Sequence, residues 1–392
     1  MLLPPEITTP VLLVDQARVE RNLRDMAESA AGRGMRLRPH AKTHKTAQIG
    51  RLQLDLGAAG LTVATIGEAE KFAAAGVTDL FIAYPVWPSP ARMNRIEVLA
   101  ERVRLRLAVE SAEAAAGLAR LSRLTGPPEI LIEIDSGHHR TGVPAGQAGE
   151  VAHGIARAGL PLAGVFTFPG HGYTPGGRQQ AAAEEAAALA EASAVLLAAG
   201  IEATRAGGAQ RDRGADAAEP DEGTGPDSGA GGRGPGYERS GGSTPTAAVR
   251  AHPPPTEIRP GVYVFNDAQQ LELGVCGREQ IALAAAATVV SRPDPGRFVV
   301  DSGSKVLGAD RQPWSTGFGR LLNWPNARIV AVSEHHATVV LPPGSAGPEL
   351  GEVVAVVPNH VCTAVNLADE LLITRDGRVV DAWPVMARGS NS

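Results

Sequence analysis

The feature that most constrains this fold is a regular alternation of short apolar runs with amphipathic helical patterns between residues 35 and 265. Parallel strands need a helix-sized crossover between them, so the alternation predicts parallel βα units. The number of units approaches eight, which predicts a (β/α)8 barrel, with a doubly wound open sheet as the alternative. The predicted strands cover residues 35–37, 60–65, 79–84, 103–109, 129–135, 162–168 and 257–265, and the predicted helices cover residues 46–56, 68–75, 90–102, 112–124, 148–158 and 179–199.

The pattern changes after residue 280, where short alternating strands are separated by turns rich in Pro and Gly. This change predicts a second, all-β domain, and a chain of 392 residues has room for it beside a barrel of about 250 residues. We assign residues 16–270 to the barrel, and residues 271–392 with 1–15 to the β-domain. Its predicted strands are 281–290, 298–300, 329–332, 338–341, 352–357, 370–374 and the N-terminal strand 11–15, which precedes a helix at 16–31.

Residues 207–236 form a segment of Gly, Asp, Arg, Ala and Pro with almost no apolar side chain. Such a segment cannot bury enough surface to offset its ordering entropy, so we predict a disordered insertion there. The insertion lies beside the seventh barrel strand, which either residues 201–205 or residues 237–239 could supply.

Charge and cysteine content exclude several classes of function. A net charge of -5 and a pI near 6.1 provide no basic face for nucleic acid. The sequence has no signal-peptide pattern at its start and no apolar run of membrane-spanning length. Two cysteines, Cys276 and Cys362, are too few for a disulfide framework. We therefore expect a cytoplasmic protein that binds neither nucleic acid nor membrane.

Two of only four lysines lie in one octapeptide, Arg38-Pro-His-Ala-Lys-Thr-His-Lys45, directly after the first predicted barrel strand. Lys42 and Lys45 stand out because arginine supplies almost all the other positive charge. Only an amine can lose its proton near neutral pH and form a Schiff base, which a guanidinium cannot do. The octapeptide is therefore a candidate catalytic segment, with helix capping or solvation of both lysines as the alternative.

Small polar residues form a second candidate site after the seventh strand. In the segment from Ser240 to Thr246, consecutive small residues allow backbone N–H groups to converge on an anion. The loops after strands seven and eight of such barrels often bind phosphate. A simple turn is the alternative interpretation of this segment.

A third candidate site is the pair His360 and Cys362, which follows the predicted strand 352–357. In an extended segment, residues i and i+2 point to the same side, so an imidazole and a thiolate could reach one ion. Zinc accepts both ligand types. The alternative is a buried cysteine beside a surface histidine.

Together these features resemble the fold-type III pyridoxal-phosphate enzymes, which have an alanine-racemase-like barrel, and most specifically the D-serine dehydratase and D-threonine aldolase family. The resemblance covers the chain apart from the insertion. The segments that carry it are Thr9-Pro10 with Asp15, Arg38 to Lys45, Glu133 to Asp135 with Arg140 to Val143, Pro169 to His171, Ser240 to Thr246, Gly261 to Asp267, and Pro358 to Cys362.

The resemblance implies a role for each matching residue. It places the Schiff-base lysine on Lys42, and it matches Lys45 to a lysine that does not carry the cofactor. It places Arg140 beside the phenolic oxygen of the cofactor, and Tyr173 near the ring nitrogen. His336 resembles a histidine close to the site. Phosphate binding falls on the loop residues Ser240, Gly241, Gly242, Ser243 and Thr244 with Tyr263, and the metal pair falls on His360 and Cys362.

These assignments imply a zinc-assisted, pyridoxal-phosphate-dependent dehydratase that converts D-serine or a related 3-hydroxy-D-amino acid to a 2-oxo acid and ammonia. The His-x-Cys pair favours elimination, because threonine aldolase members more often carry His-x-Asp. Retro-aldol cleavage to glycine and an aldehyde, racemisation, and a non-catalytic pyridoxal-phosphate carrier are the alternatives. By analogy with the family we expect a homodimer.

Overall fold

A computed structural model describes residues 1–204 and 236–392. The predicted insertion at 207–236 lies outside the described residues, apart from Gly236. The chain opens with strand β1 (Val11–Asp15) and helix α1 (Gln16–Ala31), whose bounds match the prediction. Asp15 caps α1, because its side chain accepts a hydrogen bond from the Arg18 N–H.

Eight parallel strands follow as one sheet, and its path closes on itself through a parallel bridge between His40 and Thr62. The predicted (β/α)8 barrel is therefore confirmed. Its strands are β2 (Arg36–Leu37), β3 (Leu61–Val63), β4 (Asp79–Pro85), β5 (Arg104–Val109), β6 (Glu129–Glu133), β7 (Leu162–Phe166), β8 (Glu238–Gly241) and β9 (Glu257–Ile258). Its helices are α2 (Ala47–Asp55), α3 (Ile66–Ala74), α4 (Pro90–Ala100), α5 (Ala112–Gly117), α6 (Ala148–Arg157), α7 (Arg178–Ala198) and α8 (Ala268–Glu272).

At the end of the barrel the structure decides one open prediction and corrects another. The seventh barrel strand is β8, so the second of the two segments considered, residues 237–239, supplies it, while Thr204 hydrogen bonds to Leu162 at the start of β7. The eighth strand, β9, has two residues instead of nine, because the chain turns into a 3-10 helix at Val262–Val264. Apolar residues in that short helix gave the same pattern as a strand.

Charged residues fill the interior of the barrel at the amino ends of its strands. Arg38 is fully buried and bonds to Glu257 at 2.9 Å and to Asp79 at 2.6 Å. Arg106, also buried, bonds to Glu129 at 3.1 Å and lies 3.4 Å from Glu257. Each of these guanidinium groups therefore faces carboxylates across the strands, which offsets the cost of burying the charges.

The C-terminal strands form a nine-stranded sheet together with β1, which pairs antiparallel with one neighbour and parallel with another. The separate, mostly β domain is thus confirmed. Its further strands are β10 (Leu283–Asp294), β11 (Arg297–Val300), β12 (Gly319–Leu321), β13 (Arg328–Val332), β14 (Ala337–Val340), β15 (Val353–Pro358), β16 (Glu370–Arg375) and β17 (Arg378–Pro384), with short helices α9 (Ser304–Leu307) and α10 (Val361–Leu367).

Strands β12 and β17 and both short helices were not predicted, so the domain is not purely β. Within residues 1–204 and 236–392, no helix combines the length and apolar character that crossing a membrane requires.

Candidate active site

A cavity of about 510 Å³ opens at the carboxyl ends of the barrel strands, where the β-domain meets the barrel. Its volume lies in the usual range for small-molecule and cofactor sites. Residues from both domains line it, namely His40, Lys42, Thr43, Arg140, Phe168, Gly170, Tyr173, Ser243, Arg259, Gly261, Val262, Gln269, Asp310, Arg311, Gln312, His360 and Thr363.

Lys42 lies in a single 3-10 turn, Ala41–Thr43, immediately after β2. His40 precedes this turn and caps it, because its Nδ1 accepts the Lys42 N–H at 3.4 Å. Gly261 packs directly on the turn: a Cβ at that position would lie 2.8 Å from the Thr43 hydroxyl and 3.0 Å from the His40 carbonyl. The absence of a side chain at position 261 therefore allows the short eighth strand to support the Lys42 turn.

The aromatic ring of Phe168 lies close to two cationic side chains at one wall of the cavity. Phe168 lies 5.8 Å from the Lys42 Nζ and 5.2 Å from the Arg140 Cζ, measured to the ring centroid. Both positive groups gain from the negative face of the ring. Lys42 and Arg140, predicted from sequence as cofactor residues, therefore share one wall of the cavity.

The predicted phosphate loop divides into two parts. Ser240 and Gly241 belong to β8. The Ser240 hydroxyl bonds to Glu257 inside the barrel, and the Gly242 N–H donates to the buried carboxylate of Glu185. These three residues do not line the Lys42 cavity, because the strand continues to Gly241 and its alternation directs Ser240 inward.

Ser243 and Thr244 are the loop residues that the structure brings to the cavity side. Ser243 lines the cavity, and its N–H donates to the Thr246 hydroxyl at 2.9 Å. Thr244 lies beside the Tyr173 phenol, and its hydroxyl accepts the Tyr263 N–H at 3.2 Å. Of the predicted loop, Ser243 and Thr244 thus lie on the cavity side, and phosphate binding by this segment stays a prediction.

The two predicted tyrosines point in different directions. Tyr173 lines the cavity beside Thr244, and burial raises the pKa of its phenol, so it keeps its proton at neutral pH. Its approach to a ring nitrogen stays a prediction. The Tyr263 phenol instead accepts a hydrogen bond from Gln53 at 3.1 Å on the far side of the turn. Only the backbone of Tyr263 reaches the anion loop.

His360 and Cys362 lie close enough for their charges to interact, although not through the geometry that the sequence suggested. Strand β15 ends at Pro358, His360 is the extended N-cap residue of α10, and Cys362 lies in the first helical turn. The predicted extended segment is therefore wrong, but the helix start brings the imidazole and the thiol together. Cys362 Sγ also lies 3.2 Å from the Thr43 hydroxyl, next to Lys42.

The charged forms of His360 and Cys362 stabilise each other. Burial opposes both shifts, but the thiolate raises the pKa of His360 well above its usual value, and the imidazolium lowers the pKa of Cys362. The His360 Nδ1 lies 3.5 Å from the buried Asp267 carboxylate and has no partner at ordinary hydrogen-bond geometry. Asp267 also accepts the Val361 N–H at 3.2 Å, so it fixes the start of α10.

Several cavity residues were not predicted from the sequence. Arg259 is buried between Phe81 and Phe166, 5.5 Å and 5.0 Å from their ring centroids, and burial lowers its pKa to about 10. Its position in Arg-Pro-Gly after the eighth strand could have identified it, but the overlong predicted strand obscured this. Gln269 is 3% exposed, and its amide Nε2 has no hydrogen-bond partner.

Residues 310–312 reach the cavity on a loop of the β-domain, where sequence periodicity contains no information about the barrel. His336 does not reach the cavity in this chain. It is exposed at the turn between β13 and β14, where its carbonyl accepts the Ser333 N–H at 2.9 Å.

The barrel carries Lys42 at a strand end, with arginines beside it, and the β-domain covers the cavity. This architecture is an alanine-racemase-like fold with a cavity typical of an enzyme. The alanine racemase N-terminal domain model matches residues 14–209, and the putative serine dehydratase domain model matches residues 282–374. The chain is 32% identical to the D-threo-3-hydroxyaspartate dehydratase of Delftia sp. (strain HT23), over 95% of this chain and 96% of that protein. It therefore belongs to the D-serine dehydratase and D-threonine aldolase family of fold-type III pyridoxal-phosphate lyases.

Solved structures agree with this assignment. D-threonine aldolase from Filomicrobium marinum superposes with a TM-score of 0.80 at 29% identity, covering 100% of this chain and 99% of that one. A D-threo-3-hydroxyaspartate dehydratase variant with one cysteine replaced by alanine, described as metal-free, gives a TM-score of 0.80 at 30% identity, covering 96% of this chain and 97% of that one.

Proposed function

We propose that this protein is a pyridoxal-phosphate-dependent, zinc-assisted dehydratase that converts D-serine or a related 3-hydroxy-D-amino acid to a 2-oxo acid and ammonia. The observation that carries the proposal is that Lys42, Thr43 and His360 line one cavity, with Cys362 beside it at 3.2 Å from the Thr43 hydroxyl. An amine base and a pair of soft metal ligands at one substrate-sized site suit removal of a proton and of a neighbouring hydroxyl group.

The residues present fit the cofactor. The cavity offers an amine, a flat aromatic wall at Phe168, the cations Arg140 and Arg259, and the hydroxyl-rich loop at Ser243 and Thr244. Lys42 would hold the cofactor aldehyde, Arg140 would face its phenolic oxygen, Tyr173 would lie near its ring nitrogen, and the loop would receive its phosphate. When bound, pyridoxal phosphate supplies an electron sink for charge that develops at the substrate α-carbon.

The residues also fit zinc. His360 and Cys362 supply nitrogen and sulfur donors, and the unpartnered Nδ1 of His360 faces Asp267, a carboxylate placed to orient the ring. Across the described ranges no three His, Cys, Asp or Glu side chains converge as metal ligands, so two protein donors would leave positions for substrate. A bound zinc supplies Lewis acidity for a poor leaving group such as hydroxide. The solved metal-free form of a dehydratase relative supports a metal site in the family.

Lys42 then has the central proton-transfer role. Its Nζ, which lies beside the Phe168 ring and on the same wall as Arg140, would take the α-proton of the bound substrate. His40 holds the Lys42 backbone in place, and burial beside Lys42 holds the pKa of His40 well below its usual value, so its ring is neutral. A neutral ring accepts the Lys42 N–H without repelling the lysine.

Retro-aldol cleavage is the second candidate, because a D-threonine aldolase covers the whole chain at a TM-score of 0.80. Both reactions use the same amine and the same metal pair, and they differ in the bond that breaks. Elimination breaks the bond between Cβ and oxygen, and the aldol route breaks the bond between Cα and Cβ.

Product analysis separates the two. The protein, reconstituted with pyridoxal phosphate and zinc, is incubated with D-serine, D-threonine and D-threo-3-hydroxyaspartate, and 2-oxo acid, ammonia, glycine and aldehyde are measured. We expect 2-oxo acid and ammonia, with loss of activity on chelation. Formation of glycine and an aldehyde would contradict the dehydratase proposal and favour the aldolase. Racemisation of the substrate that continues when a chelator is present would contradict both.

Cysteine variants test the metal assignment. The C362A variant should retain cofactor absorbance but lose zinc and turnover, while C276A is the matched control, because Cys276 packs among apolar residues outside the cavity. Full activity in C362A would remove the zinc role.

A further inference from the structure

Lys45 is the second lysine of the octapeptide, and the proposed chemistry does not use it. It is 5% exposed, and its φ of 51° lies in the left-handed region that non-glycine residues seldom occupy. A buried lysine in this conformation is retained only where its contacts hold it. Those contacts connect both parts of the candidate active site.

The ammonium group of Lys45 lies between the barrel and the β-domain. Its Nζ is 3.1 Å from the Glu68 Oε1 on α3, a carboxylate that also accepts the Ala64 N–H at 2.7 Å. On the opposite side it donates to the Asn366 Oδ1 at 2.7 Å, near the end of α10. One cation therefore joins a barrel helix to the helix that starts with the metal pair.

The turn and the helix are thus connected at two points. At the start of α10, Cys362 contacts Thr43, and at its end Asn366 contacts Lys45. The Lys45 N–H also bonds back to the Ala41 carbonyl at 2.9 Å, which closes the turn around Lys42. A seven-residue helix held at both ends has little freedom to tilt away from that turn.

We infer that Lys45 is a positioning residue that fixes the distance between the Lys42 amine and the His360–Cys362 pair by tying the end of α10 to the Lys42 turn. The inference rests on the proposed function. Its chemical reason is that Cys362 lies in the first turn of α10, so the position of the metal pair relative to Lys42 depends on how this helix is held. Outer-shell residues that orient metal ligands typically affect metal affinity by about 10–100-fold.

The test measures zinc affinity by competition with a chromophoric chelator, and cofactor loading by absorbance, on the full-length protein. The N366A variant removes the contact between Lys45 and α10 while leaving the Lys45–Glu68 ion pair intact, so it avoids an unpaired buried charge. We expect zinc binding about tenfold weaker with unchanged cofactor loading. N366D keeps the acceptor oxygen and should restore zinc affinity.

Two further variants separate positioning from general stability. E68Q removes the charge of the barrel partner but keeps the contact with Asn366, so its zinc affinity should equal that of the wild type even if its melting temperature falls. K71M changes an exposed lysine on the same helix, α3, and should match the wild type in both properties. K45M should reproduce the zinc defect of N366A if it folds.

The outcomes are distinguishable. Wild-type zinc affinity in N366A, or an equal loss in E68Q and N366A, would overturn the inference while leaving the proposed function intact. A wild-type protein that binds pyridoxal phosphate and eliminates water without any zinc would instead overturn the metal part of the proposed function.

Discussion

The two ends of the barrel differ in how their cationic side chains are paired. At the amino ends of the strands, buried Arg38 and Arg106 face Glu129 and Glu257 at 2.9–3.4 Å. At the carboxyl ends, Lys42 and the arginines of the cavity have no carboxylate within ion-pairing distance among the described residues. Paired charges serve the fold, whereas cations left without a carboxylate partner are available to an anionic ligand.

This difference predicts that substitutions at one end of the barrel affect stability, whereas substitutions at the other end affect turnover. Removing one member of a buried ion pair leaves its partner uncompensated, so changes at the amino ends should destabilise the protein without direct effects on the site. Changes in the cavity should affect turnover and leave unfolding nearly unchanged, because the groups there have few protein partners to lose.

The largest expected effect is that of K42A. Loss of the amine base should lower turnover by a factor on the order of 10³ or more, because general-base catalysis alone contributes 10²–10⁴. The absorbance of the lysine-bound cofactor should disappear as well. Steady-state kinetics and absorbance spectra test this, with K71M as the control. Retained turnover in K42A would remove the central assignment.

The next effect is that of R38M at the other end of the barrel. It leaves Glu257 and Asp79 without their shared cation, which should lower the free energy of unfolding by about 3–5 kcal/mol. Urea unfolding measures the change. The kcat of the folded fraction should stay near that of the wild type, and a large kcat loss with unchanged stability would break the comparison.

Acid sensitivity follows from the same network. Burial opposes ionisation of Glu257, but Arg38, Arg106 and Arg36 outweigh it and lower its pKa to about 2. A carboxyl group with a lowered folded-state pKa contributes stability above its unfolded pKa of roughly 4.3 and loses it as the pH falls through about 2. Wild-type stability should therefore fall between these pH values.

R38M should lose less stability over that pH interval, since one of the three cations that lower the pKa of Glu257 is gone. Urea unfolding at several pH values between 5 and 3 gives the comparison. Parallel pH profiles for the two proteins would show that Arg38 does not control this titration.

A smaller effect is expected for Q269L in the cavity. The Gln269 amide is buried without a partner, so a ligand that accepts its hydrogen bond gains about 1–2 kcal/mol, which corresponds to roughly a tenfold change in KM. Stability should be unchanged or slightly higher in Q269L, because no protein contact of the amide is lost. Q312A, at an exposed cavity residue, is the control, and equal KM values for Q269L and wild type would exclude this contact.

The smallest effect is expected for H336A. His336 is exposed on a turn of the β-domain, and such surface substitutions usually change stability by less than about 0.5 kcal/mol. Activity and melting temperature should both match the wild type. A clear loss of activity would place this histidine at the site in a way that the single chain does not show.

The predicted elements agree with the structure where local periodicity is strong. Strand β1 and helix α1 have the predicted bounds, since alternation and a cap residue are local signals. The eighth strand was predicted too long, because a buried 3-10 turn at Val262–Val264 is as apolar as a strand. Strand β12 was missed, because its pairing with β15 is a long-range contact with little local pattern.

The sequence by itself determined the alternation that closes a barrel, the strand-end lysine and the His-x-Cys pair, because each is a property of neighbouring residues. Only the tertiary structure decided that Gln269 and the 310–312 loop line the same cavity, that the Tyr263 phenol turns away from it, and that Lys45 connects α3 to α10. These relations join residues far apart in the chain, and their geometry depends on how two domains pack, which no local pattern contains.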